Sequence, residues 1–174
     1  VFYSEEGGRI APEDRANLDK YLKRGGGIVA LHDSVCGNDA QWWKTIIGGA
    51  WEHGYSKWLE HVVPIYYTAE ENPITAGASN FEFDDEIYYD LHMMPDVKVL
   101  AGSWTPDKRN TKGGRLMQHI YDVSPQMWTY EKDNHRAFVS IPGHKFQSFA
   151  LPHFRTVLLR GIAWAGKRDL NLLT

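Results

Sequence analysis

The stretch Gly25-Gly26-Gly27-Ile28-Val29-Ala30-Leu31-His32-Asp33-Ser34 limits what this chain can fold into more than any other. Three glycines close one element, four apolar residues follow without a break, and polarity returns abruptly at His32. A short, wholly apolar run between such punctuation is the pattern of a strand buried on both faces. His32, Asp33 and Ser34 then stand at its carboxyl end. In an open α/β sheet, ligands bind in the crevice outside the strand carboxyl ends. Other candidate residues are weighed by whether they can converge there.

Upstream, Pro12 opens a helix whose Leu18, Tyr21 and Leu22 fall at i, i+3 and i+4. Lys20, Lys23 and Arg24 lie near its end, where cations oppose the helix dipole, and Gly25 stops it. Val1-Phe2-Tyr3 reads as the tail of a preceding strand, which makes the start half of a βαβ unit. With no initiating Met and no signal peptide, the chain reads as one domain, residues 1–174, of a longer protein that lacks here at least its first strand–helix unit. Downstream, the pattern predicts a helix over 40–47 and a Trp-rich loop wall over 50–60. Strands are predicted at 62–68, 97–101, 115–121, 126–130 and 137–141, and a strand-like acidic stretch at 81–89. A polar hairpin or lid over 106–114 and a final helix over 152–165 complete the reading.

Acidic and basic residues are interspersed and sum to a net charge of -3. No basic face points to nucleic acid, and no run of about 18 apolar residues points to a membrane span. The single cysteine, Cys36, cannot form an internal disulfide, which fits either the cytoplasm or the periplasm. Seven Trp and nine Tyr are many for this length, and rings with a polar handle serve cores and sugar-sized ligands alike.

Two apolar strands end the same way, one running into His32 and the other through Pro142-Gly143 into His144. If both lie parallel in one sheet, both imidazoles emerge at one edge, where they can bind a metal or move protons near neutral pH. His53 and His61 lack a zinc spacing such as His-Glu-x-x-His; His61 reads as a residue entering a strand. Asp84-Asp85-Glu86 lies in a frame of Phe81, Phe83, Ile87, Tyr88 and Tyr89. A carboxylate desolvated there has a raised pKa and suits acid/base work or a hard cation. Strand alternation puts Glu86 with Asp84 and Tyr88, and singles it out. Cys36 lies past the strand-to-helix turn where a nucleophilic thiol would sit, and Ser34 lacks a Gly-x-Ser-x-Gly context.

Taken together, Gly25–His32, Trp42…Ile47-Gly48-Gly49…His53, Asn72-Pro73-Ile74-Thr75, Asp85-Glu86-Ile87-Tyr88, Val99-Leu100-Ala101, Pro125…Trp128, Gly143-His144 and Arg160-Gly161-Ile162-Ala163-Trp164-Ala165 resemble the ThuA-like (trehalose utilisation) family in order and spacing. Asp33-Ser34 departs from the small residues expected there, and Asn134-His135-Arg136 from a glycine-basic turn. The resemblance implies a class I glutamine amidotransferase-like, flavodoxin-type α/β/α fold in three layers around a mostly parallel sheet, without the amidotransferase cysteine. It implies carbohydrate processing: cleavage of 3-keto glycosides or disaccharides that a partner sugar dehydrogenase has oxidised. His32, His53, Glu86 and His144 match its polar motifs. They are the expected ligands of a divalent metal such as zinc, with His32, Glu86 and His144 as the catalytic set and no nucleotide cofactor. Asp33, Trp51, Tyr88 and Trp128, with Trp58 beside them, are the expected sugar contacts. Homo-oligomerisation is compatible with this reading. A non-catalytic sugar-binding module, a thiol amidotransferase using Cys36, and a structural subunit of a larger assembly are the competing readings.

Overall fold

The computed structural model describes residues 1–68, 71–106 and 121–174. Helix α1 (Pro12–Lys23) carries proline in its first turn, where a missing N–H leaves nothing unpaired. It leads into strand β1 (Gly27–Leu31). Phe2 bridges Ala30 in parallel: the Phe2 N–H donates to the Val29 carbonyl at 2.7 Å, and the Leu31 N–H donates to the Phe2 carbonyl at 3.0 Å. The predicted strand–helix–strand start is therefore present, with its first strand reduced to one bridge. Helix α2 (Ala40–Ile47) begins where the Asp39 carboxylate accepts the Trp42 N–H at 2.9 Å. Then come β2 (Gly49–Ala50), β3 (Lys57–Tyr67), β4 (Phe81–Tyr89), β5 (His92–Met93), β6 (Lys98–Pro106), β7 (Tyr121–Lys132), β8 (His135–Ser140) and helix α3 (Pro152–Ala165).

Six strands share one sheet in the order β1-β8-β7-β6-β3-β4, and β2 pairs with β5 apart from it. Among the named strands of the large sheet, β1 and β8 run parallel, while the other four pairings are antiparallel. The expectation of a mostly parallel, flavodoxin-like sheet is thus corrected to a mixed, mostly antiparallel one. The connections give one reason. Asp133 and Asn134 alone join β7 to β8, a two-residue hairpin, whereas parallel neighbours need a crossover of about a dozen residues. The expected loop wall over 50–60 is also shortened, because β3 already pairs with β4 at Lys57↔Tyr89. Its exposed residues include Trp58 and Val62, so polar–apolar alternation fails to mark it. The lid expected over 106–114 and the strand over 115–121 fall almost wholly on residues 107–120, outside the described residues.

β1 is buried on both faces, as its composition predicts. Ile28 and Ala30 join an apolar cluster with Leu22 of α1 and Trp43, Ile46 and Ile47 of α2. Val29 and Leu31 join another with Phe154, Val157 and Leu158 of α3. Those three α3 side chains contribute about 5–9 kcal/mol of transfer free energy, an upper bound for an extended unfolded chain. Fixing both faces of β1 fixes where its carboxyl end lies, and with it His32. Among the described residues, no helix is long and apolar enough to cross a membrane.

Candidate functional site

The parallel pairing of β1 with β8 ends at Leu31↔Ser140, so both chains leave the sheet at one edge. His32 turns there with φ +51°, a left-handed conformation that costs a non-glycine residue energy and is held by its surroundings. Its Nδ1 lies 2.9 Å from the Ile141 carbonyl oxygen, one residue past the end of β8. A carbonyl only accepts, so Nδ1 carries the proton and Nε2 keeps a lone pair. That lone pair lies 3.0 Å from Nδ1 of His144 and 3.2 Å from the Tyr88 hydroxyl. Oε2 of Glu86 is 3.3 Å from the same nitrogen of His144. One ligand atom each from His32, Glu86 and His144 thus gather within 4.8 Å of one another. Around a tetrahedral zinc at about 2.0–2.1 Å, neighbouring ligand atoms stand about 3.3 Å apart, so the donor types fit a divalent ion, as do the separations of 3.0 and 3.3 Å from His144 Nδ1 to His32 and Glu86.

Tyr88 and Glu86 reach this edge from β4, which is separated from β8 by three strands in the sheet order. The curl of the sheet brings them in, and Gln126 of β7 secures them. Its fully buried amide accepts the Tyr88 N–H at 3.2 Å and donates to the Tyr88 carbonyl at 2.7 Å, replacing a missing neighbouring strand. The Tyr88 hydroxyl donates to Oδ1 of Asp33. Burial, and next the bond to Asp33, push the Tyr88 phenol up, so it stays a donor. Asp33 is about two-fifths exposed and opens outward from the pair.

His144 is held through its backbone. The Gly143 and His144 N–H groups donate to the carboxylate of Asp85 at 3.2 and 2.9 Å, and the Ser148 hydroxyl donates to the same carboxylate. Gly143 takes φ +138°, which an L side chain rarely adopts. Next along, the Lys145 ammonium pairs with Asp84 at 2.7 Å and Glu60 at 3.1 Å, tying this loop to β4 and β3. Asp85 is fully buried, whereas alternation along the strand singles out Glu86. The signal for it was present: Phe83, Asp85 and Ile87 share a face, and both apolar members of that face are core residues. Gln126, in a short predicted strand, offered no such signal.

The other predicted site residues lie elsewhere. His53 is exposed and its Nε2 is 3.2 Å from Glu6, so it stays out of the histidine–glutamate cluster. Trp128 is wholly buried and its indole N–H donates to the Ile47 carbonyl, which makes it core rather than a sugar contact. Trp51 packs on Tyr88 with ring centroids 4.7 Å apart, behind the site. Trp58 stands directly opposite Tyr88 across β3 and β4 and is exposed. Cys36 is buried, and burial pushes its thiol well above the ordinary range, against its use as a nucleophile.

Burial holds the His32 imidazole below its ordinary value, opposed in part by the Ile141 carbonyl and Asp33, while burial raises the Glu86 carboxyl against the opposing pull of His144. For His32 the unfolded chain takes up a proton that the folded chain refuses. Its contribution to stability is complete above the ordinary imidazole value of about 6.5 and is lost as pH falls through the lowered folded value. Glu86 has the opposite sign: its contribution is complete at low pH and lost as pH rises through the raised value. In chelator-treated protein, the denaturant midpoint of the wild type is therefore expected to fall further between pH 7 and 5 than that of His32→Asn. Parallel curves would contradict a buried neutral imidazole.

The family model for ThuA, trehalose utilisation, matches residues 1–165. A ThuA-like protein from Parabacteroides merdae has a similar crystal structure, with a TM-score of 0.64 and 18% sequence identity. The likeness covers 88% of this chain and 65% of that one, and at this identity it speaks for the fold alone. None of the curated proteins matches the sequence. The match over 1–165 takes in β1, β4 and the loop after β8, every element that supplies the cluster, and the chain belongs to the ThuA (trehalose utilisation) family.

Proposed function

We propose that this chain is a carbohydrate-processing enzyme that cleaves oxidised, 3-keto glycosides or disaccharides, with a divalent metal held by His32, Glu86 and His144. The observation that carries this reading is the convergence of two imidazole nitrogens and a carboxylate oxygen within 4.8 Å, beside a half-open Asp33–Tyr88 pair. A ketone at C3 acidifies the hydrogen on C2. A base removes it, charge builds on the ketone oxygen, and the C1 substituent leaves with a proton; addition of water to the resulting enone completes the hydrolysis.

The bound ion would polarise the ketone as a Lewis acid. With the lone pairs of His32 and His144 engaged, the proton acceptor among the remaining groups is Asp33, a carboxylate that faces outward and is oriented by the Tyr88 hydroxyl. The phenol of Tyr88 stays protonated, and its one hydrogen holds the Asp33 carboxylate in place. Trp58 offers an exposed ring for the sugar face, and the buried backbone anchors of His144 keep its nitrogen in register with His32 and Glu86.

Two measurements test this together. Purified protein is expected to retain a divalent metal that His144→Ala loses, read by elemental analysis. It is also expected to turn over methyl 3-keto-α-glucoside, with His144→Ala lower by about 100-fold or more. No turnover by metal-supplemented wild type, or full turnover by the variant, would overturn the reading.

A further inference from the structure

Two cavities meet at Asp33. One, of about 210 Å³, is lined by Tyr3, Ser4, Glu5, His32, Asp33 and His144. The other, of about 600 Å³, extends from Ser4, Glu5 and Asp33 over Phe2, Glu6, Arg9 and His53. Clefts that bind small molecules usually span about 300–1,000 Å³. The inner chamber alone falls short of that range, and the two joined lie within it.

The outer wall is built, not loose. Glu6 takes φ +49°, a strained conformation for a residue with a side chain, and its carboxylate meets both Arg9 and His53 at 3.2 Å. The turn that carries it is sewn to the loop after β1. The Ser4 N–H donates to the Ser34 hydroxyl at 3.0 Å, and the Gly8 N–H donates to the Cys36 carbonyl at 2.8 Å. Gly7 lies so close to Ser34 that a Cβ would come within 2.8 Å of its backbone. His53, which stands outside the metal cluster, thus acquires a place.

The charges on this wall select its occupant. Among the described residues that line it, Glu5, Glu6 and Asp33 present three carboxylates, and the guanidinium of Arg9 is already paired with Glu6. A phosphate brought here would meet net repulsion and, among the described lining residues, no unpaired guanidinium or ammonium. A ring of hydroxyls finds acceptors in the carboxylates and donors in Arg9 and His53. We infer that the outer cavity is a leaving-group subsite that takes an uncharged second sugar ring and refuses a phosphorylated one. This rests on the reading above for the identity of the inner site, but its test does not.

Calorimetric titration of the unmodified chain with trehalose, methyl α-glucoside and trehalose 6-phosphate reads binding without turnover. Trehalose is expected to bind about tenfold or more tightly than methyl α-glucoside, and trehalose 6-phosphate about tenfold more weakly than trehalose. In Arg9→Ala and His53→Ala, both changes at exposed side chains, the preference for trehalose over methyl α-glucoside is expected to collapse. Equal binding of trehalose and methyl α-glucoside, tighter binding of the phosphate, or no measurable binding of any of the three would overturn the subsite. A preserved trehalose preference with no keto-glycoside turnover would instead overturn the proposed reaction and leave the subsite standing.

Discussion

Replacing His32 with alanine is expected to lower turnover of methyl 3-keto-α-glucoside by about 1,000-fold or more, with most of the loss in kcat. The ring is the one member of the cluster whose tautomer is fixed by the backbone, through the Ile141 carbonyl. Its Nε2 lies 3.0 Å from Nδ1 of His144, so its removal takes away that nitrogen's partner, while Tyr88 keeps its bond to Asp33. The loss should exceed that of His144→Ala, because His144 is partly exposed and water can take its place. His32→Gln separates ligand from base: an amide oxygen can still approach a metal but cannot accept a proton at neutral pH. Retention of metal with loss of kcat in His32→Gln would move the proton acceptor from Asp33 to His32. Alanine activity within about tenfold of wild type would remove His32 from the chemistry altogether.

Where local pattern and tertiary packing agreed, the sequence was legible. β1 between Gly25-Gly26-Gly27 and His32 is apolar because both of its faces are covered. α2 and α3 were legible over their full lengths, since a cap or proline opens each and an apolar stripe runs along it. The meeting of His32 and His144 followed from one inference, parallel strands ending together, and β1 and β8 are the pair for which that inference holds. The same inference spread over the whole sheet failed, because strand direction depends on connections. The two-residue Asp133-Asn134 turn between β7 and β8 carries that information, whereas in the sequence Asn134-His135-Arg136 reads only as a departure from a family pattern. Glu86 is singled out by strand alternation with Asp84 and Tyr88 inside an aromatic frame, and its carboxylate lies beside His144. His53 was drawn into the metal set by motif order, which says nothing about distance; its actual neighbour, Glu6, is 47 residues away and carries no motif. Trp128 shows the limit of composition: an indole suits a sugar or a core equally until its N–H is seen bonded to the Ile47 carbonyl.

The second large effect lies at Asp85, which supports the site without facing it. Its buried carboxylate accepts from four donors: the N–H groups of Glu86, Gly143 and His144, and the Ser148 hydroxyl. Hydrogen bonds to a charged group contribute about 1.5–3 kcal/mol each, and a buried donor left without an acceptor costs more than the lost bond. Asp85→Ala is therefore expected to destabilise the fold by about 3–5 kcal/mol, a drop in Tm of about 10 °C or more for a chain of this length. Ser148→Ala, which removes one donor and leaves the carboxylate its others, should cost about 1 kcal/mol. Asp85→Asn discriminates a structural role from a positioning one. The amide keeps the size of the side chain but turns an NH2 toward groups that are themselves donors, so the Gly143–His144 loop must shift even in a folded protein. Its kcat on methyl 3-keto-α-glucoside should fall with little change in KM, and its metal affinity should weaken, because His144 Nδ1 leaves the distance it holds to His32 and Glu86. A folded Asp85→Asn variant with wild-type metal affinity and kcat would show that the loop finds its place without this carboxylate, and an Asp85→Ala variant melting within about 2 °C of wild type would show that the buried network contributes little.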